Sequence, residues 1–119
     1  MEEYSDLELQ CHTVAGVMET TKEACVVCLV EDLKQTANIL KCLIFKTFVS
    51  HDINFIKTVN TDRFAFKMPN GDCKEIIFTV GQQLGAYLQG RRWPVVNIIM
   101  CDELKDTRLS YQVGEDGEG

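Results

Sequence analysis

Apolar and polar positions fall in blocks along this chain, and one block stands apart. Cys25-Val26-Val27-Cys28-Leu29-Val30 is an unbroken apolar run with polar ends. A run that short and that rich in β-branched residues predicts a strand buried on both faces, in the middle of a sheet covered by helices. Glu31-Asp32 follows at its C-terminal end, the edge where open α/β sheets present their function. Leu33 to Ser50 predicts the strongest helix. Leu33, Ala37, Leu40, Ile44 and Phe48 recur at three- and four-residue spacing on one face, with Leu43 beside them. Ile39, Cys42, Phe45 and Val49 fall outside that face, among Lys34, Lys41 and Lys46. The helix thus carries more apolar surface than one sheet buries. Two readings stay open for the surplus: a wide core stripe or a partner surface.

The remaining pattern is weaker. Met1 to Gln10 is acidic and holds either a short helix or only an arm. Thr13 to Glu23 predicts a helix with Val14, Val17, Met18 and Thr21 on one side, although Gly16 weakens it. Ile53 to Val59 predicts a strand, and Thr61-Asp62 would cap a short helix through Arg63–Lys67. Pro69-Asn70-Gly71-Asp72 is a turn, since Pro presets φ and Asn-Gly accepts positive φ. A third strand is predicted over Glu75–Val80, and a short helix over Gln82–Gln89, closed by Gly90. The fourth strand runs from Pro94 to Met100, with proline where no ladder bond is lost. Strands alternating with helices predict the α/β class, a three-layer α/β/α sandwich with a mixed central sheet. A single domain is expected over 13–110, after an N-terminal arm at 1–12. A Gly- and acid-rich tail at 111–119 is expected to be disordered.

Length and charge narrow the classes further. The 119 residues are enough for one core but not two. A net charge of −6 and a pI near 4.8 weigh against a generic nucleic-acid or anionic-membrane binder, because the phosphate term would be repulsive. No apolar run approaches a membrane span, and Met1-Glu2-Glu3 is unlike a signal peptide, so an intracellular setting with reduced thiols is expected. Cys25 and Cys28 have metal-like spacing, but residues three apart on a strand point to opposite faces. No second cysteine pair completes a zinc site. There is no Gly-Xaa-Ser-Xaa-Gly elbow and no phosphate loop, since Gly81 to Gly85 lacks the following Gly-Lys. His12 follows Cys11 and His51 precedes Asp52, and helix-end or turn roles are expected for both. Neither an enzyme, nor a cofactor, nor a metal is expected.

Three stretches read together resemble the growth-arrest and DNA-damage-inducible (Gadd) stress-sensor family, within the superfamily of kink-turn RNA-binding ribosomal proteins. Gly16-Val17-Met18-Glu19-Thr20-Thr21-Lys22, with the strand after it, is similar to the superfamily's Gly-Xaa-Asn-Glu-Xaa-Xaa-Lys segment. Asp52-Ile53-Asn54-Phe55-Ile56-Lys57-Thr58-Val59-Asn60 is close to the family's Asp-Ile-Asn-Ile-Leu-Arg-Val-Ser-Asn. Trp93-Pro94-Val95-Val96-Asn97-Ile98 is similar to its terminal Trp-Val-Pro-Val-Ile-Asn-Leu, with one residue fewer. The family's long acidic run after the central strand is reduced here to Glu31-Asp32. The resemblance implies a non-enzymatic stress-response adaptor of nucleus and cytoplasm. Its partners would be a second copy of itself, a MAP kinase kinase kinase of the stress cascade, cell-cycle kinases and the replication sliding clamp. It implies partner binding at Glu31 and Asp32. It also places Leu43 and Ile44 in the segment used for dimerisation, to which the surplus residues Ile39, Cys42, Phe45 and Val49 would add. The alternative is a structured-RNA binder on the same fold. That reading is disfavoured because Met18 stands where RNA-binding members carry Asn, and a thioether donates no hydrogen bond to a base.

Overall fold

The computed structural model describes residues 6–99, so the tail expected at 111–119 and the first five residues of the expected arm lie outside the described residues. The element order is α1 (Asp6–Thr20), β1 (Cys25–Val30), α2 (Thr36–Cys42), α3 (Phe48–His51), β2 (Asn54–Asn60), β3 (Arg63–Lys67), β4 (Cys73–Thr79), α4 (Leu84–Leu88) and β5 (Val95–Ile98). The five strands form one mixed sheet in the order β2-β3-β4-β1-β5. β1 is parallel to both β4 and β5, while β2–β3 and β3–β4 are antiparallel. The α/β class and the mixed sheet expected from the pattern are both present, with β1 at its expected bounds.

Alternation along the strands gives the sheet two different faces. Val26, Cys28, Ile76, Phe78, Phe64, Phe66, Val96 and Ile98 form one core with α1 and the long helix. Phe48 meets Phe66 edge-on at 5.0 Å between ring centroids, tying α3 to β3. On the opposite face Val27 and Ile77 are also fully buried. The connection from β1 to β2 and the connection from β4 to β5 cross the sheet in opposite directions. Trp93 of the β4–β5 connection lies with Cys25, Ala65 and Glu75 on one face, whereas the β1–β2 connection packs with α1 on the other. The segment 81–94 therefore forms the thinner second layer. It is pinned by Tyr87, whose hydroxyl donates to Asp62 Oδ2 at 3.0 Å.

Helix α1 is longer toward the N-terminus than the pattern suggested. Residues 6–12, expected within an arm, are its first half, and Leu7 and Cys11 join Val14, Ala15 and Met18 in the core. The spacing of those five positions is helical throughout; Gly16 interrupts nothing because it faces away from the core. The helix stops at Thr20, where the buried Lys74 ammonium of β4 donates to the carbonyl oxygens of Met18 and Thr21.

The segment Arg63–Lys67, expected as a short capped helix, is strand β3. Phe64 and Phe66 point to the helical core while Ala65 faces the other way, a period of two that outweighs the Thr61-Asp62 cap signal. Those polar residues instead build the β2–β3 turn, with the Asp62 amide donating to Asn60 Oδ1 at 3.1 Å.

The long helix departs most from a regular pattern. A 3₁₀ turn at Leu33–Gln35 leads into α2, a π-helical segment occupies Leu43–Thr47, and α3 completes it. The i→i+5 turn stacks Phe48 nearly above Leu43, whereas an unbroken α-helix would leave it about 140° round the wheel. The core line consequently runs Thr36, Ile39, Cys42, Leu43, Thr47, Phe48. Leu33 and Ala37, expected on the core face, are exposed, and Leu40 and Ile44 are half-buried. Asp52 ends the helix in the left-handed region at φ 57°.

Candidate functional site

Two surfaces carry the residues singled out by the pattern. The first is the C-terminal edge of the parallel strands. β1, β4 and β5 end side by side there, and Leu29, Val30, Glu31, Gly81, Asn97 and Ile98 border a shallow hollow of about 340 Å³. Glu31 and Asp32 are both exposed but differ in role. Asp32 Oδ1 accepts from the Lys34 amide at 2.9 Å and so caps the 3₁₀ turn, satisfying a donor that the helix start leaves open. Glu31 caps nothing and borders the hollow. The two carboxylates are adjacent, yet of the two only Glu31 makes no hydrogen bond or ion pair with a described residue.

The second surface is the outer side of the long helix. Ile39 and Leu43 are fully buried and Cys42 nearly so, which removes these three from any dimerisation surface. The reason is the π segment together with Thr36 and Thr47, whose polar identity hid the true core line. Ile44 is half-buried against the core. Phe45 and Val49 remain, one turn apart, at 73% and 72% exposure. Lys46 lies between them in sequence and reaches Glu8 of α1 at 4.0 Å.

Chemistry-bearing side chains also meet where sequence spacing gave no sign. His12 Nδ1 lies 3.0 Å from His51 Nε2, and His51 Nδ1 lies 3.3 Å from Glu19 Oε1. The two histidines are 39 positions apart and meet only because α1 packs against α3. His12, His51 and Glu19 thus form one chain of polar contacts between two helices.

Cys11 and Cys42 form a second unexpected pair, across α1 and α2. Interaction with the Cys11 side chain holds the Cys42 thiol below its ordinary 9.0 against opposing burial; Lys46 helps. The same contact, with burial, pushes Cys11 far up. Cys25 and Cys28 do diverge to opposite sheet faces as strand geometry requires. Cys28 belongs to the helix-side core, and burial raises its thiol. Cys25 is raised to about 11, chiefly by burial. Among the described residues no group of three or more His, Cys, Asp or Glu side chains is arranged to hold a metal ion. No helix among them is long and apolar enough to cross a membrane. No family model, curated protein or solved structure matches the chain significantly.

Proposed function

We propose that the protein is a non-enzymatic stress-response adaptor. It self-associates through the outer side of the long helix and engages a MAP kinase kinase kinase of the stress cascade through Glu31, with cell-cycle proteins as further partners. The observation that carries this reading is the exposure of Phe45 and Val49 on a helix whose other face is packed into the core. Removing a phenylalanine side chain from water is worth roughly 1.5–3 kcal/mol, and a two-fold interface gains it twice. Glu31 supports the second half: an uncommitted carboxylate at the edge of the parallel strands suits a basic partner surface. The family resemblance in Asp52–Asn60 and Trp93–Ile98 supplies the partner class. The RNA-binding alternative gains no support, because the Met18 side chain is enclosed in the core and presents nothing to a base.

The test is sedimentation of the wild type and of Phe45→Glu, followed by binding of each to a recombinant kinase of that class. The reading expects a dimer that Phe45→Glu converts to a folded monomer, and kinase binding that Glu31→Lys weakens several-fold. A wild type that is monomeric at high micromolar concentration and binds no such kinase would overturn it.

A further inference from the structure

The second layer of the sandwich covers only part of its sheet face. Segment 81–94 passes from the end of β4 to the start of β5 and leaves the β2–β3 side open. There a bay of about 550 Å³ opens between Trp93 on one side and Ile56 and Lys57 on the other, floored by Cys25, Ala65 and Glu75. That volume is in the range of pockets that enclose small organic ligands.

The far wall is made by an irregularity in β2. Phe55 stands opposite Phe66 and Lys57 opposite Ala65, so Ile56 is an extra residue on its strand. Regular alternation would send Ile56 and Lys57 to opposite faces. The bulge instead puts both neighbours on the wall of the bay.

Charge around the bay runs against that of the whole protein. Arg63 and Glu75 neutralise one another at 3.0 Å, and Arg91 lies over the Trp93 ring at 4.5 Å. Lys57 makes no ion pair with a described residue. The bay therefore combines an aromatic wall, a floor of Cys25, Ala65 and a Glu75 carboxylate already paired with Arg63, and at its rim an ammonium with no ion pair among the described residues, in a chain of net charge −6. Guarding the sheet edge would account for Lys57 and the bulge. It would not account for a tryptophan and a hollow facing them.

We propose that this bay binds a small, planar aromatic carboxylate. The ring system lies against Trp93 and over Cys25 and Ala65, and the carboxylate pairs with Lys57.

The probe is 2-naphthoate, with 2-naphthamide as its uncharged counterpart, titrated into the folded full chain by amide-resolved NMR. Trp93 is the sole tryptophan, so its indole N–H is an unambiguous reporter. Naphthoate should shift that signal and the amides of Cys25, Ile56 and Ala65, and bind about fivefold more tightly than naphthamide, as one partly exposed ion pair allows. Lys57 is exposed, so Lys57→Ala should leave the spectrum folded and remove the preference, and Lys57→Glu should reverse it. Shifts centred elsewhere, no binding at millimolar probe, or a preference that survives Lys57→Ala would each overturn the assignment.

Discussion

The ammonium of Lys74 donates to the carbonyl oxygen of Met18 at 2.6 Å, joining the middle of the sheet to the end of helix α1. It also reaches the Thr21 carbonyl at 2.7 Å, so one buried cation closes a helix terminus that has no capping glycine. Lys74→Met keeps the apolar stem and strands both carbonyls. It is expected to cost about 2–4 kcal/mol in urea denaturation, since hydrogen bonds to a charge are the stronger kind.

The π segment fixes which residues of the long helix are structural. Leu43→Ala is expected to destabilise by about 2–5 kcal/mol, as for other truncations in a packed core. Phe45→Ala should stay within about 0.5 kcal/mol of the wild-type monomer. Equal costs at the two positions, measured by denaturation at low protein concentration, would contradict the observed phase.

Asp32 and Glu31 separate in the same way. Asp32→Ala removes the acceptor of the Lys34 amide and is expected to cost about 0.5–2 kcal/mol. Glu31→Gln should cost less than about 0.5 kcal/mol. With a kinase partner the order inverts: Glu31→Lys should slow association and flatten its salt dependence, read by stopped-flow mixing at several ionic strengths.

Stability is expected to follow the thiols at alkaline pH. The Cys11 contact holds the folded Cys42 thiol below its ordinary 9.0, so as pH rises toward 9 the unfolded chain holds the extra proton and stability rises with pH. Cys25 behaves oppositely: folded it keeps its proton to about 11, so stability falls as pH rises from 9 toward 11. Subtracting denaturation curves of Cys42→Ala and Cys25→Ala from the wild type, under reducing conditions, isolates the two slopes. A Cys42 slope of the wrong sign would exclude the thiol contact with Cys11.

What could be read from the sequence was whatever a single local period controls. The run Cys25–Val30 has one explanation, and the turn at Pro69–Asp72 has another; both hold, with Gly71 at φ 95° and the Asp72 amide bonded to Asn70 Oδ1. The long helix was less legible because apolar residues at 39, 40, 42, 43, 44 and 45 satisfy two wheel phases at once. Threonines 36 and 47 sit on the buried one, and a π turn leaves no mark in such a pattern. Arg63–Lys67 misled because five residues are too few for a period to outvote a cap. The His12–His51–Glu19 chain and the Cys11–Cys42 contact depend on how two helices pack. No spacing encodes that. Of the candidate site, Glu31, Asp32, Phe45 and Val49 were found at the surface and Ile44 half-buried, while Ile39, Cys42 and Leu43 were buried.

The strand order has a consequence for biosynthesis. Among the described residues β1 is the first strand made, yet its hydrogen-bonding neighbours are β4 and β5, the last two of them. The contiguous run β2–β3–β4 is a meander that can pair as it emerges, because its loops are short. β1 must wait, apolar on both faces, until β4 has emerged to pair one edge and Ile98 has left the ribosome to complete the other. A nascent chain stopped before Val95 holds a sticky central strand with one edge open, the species most prone to pairing with a neighbouring chain. Emergence of β5 thus decides between folding and co-translational aggregation.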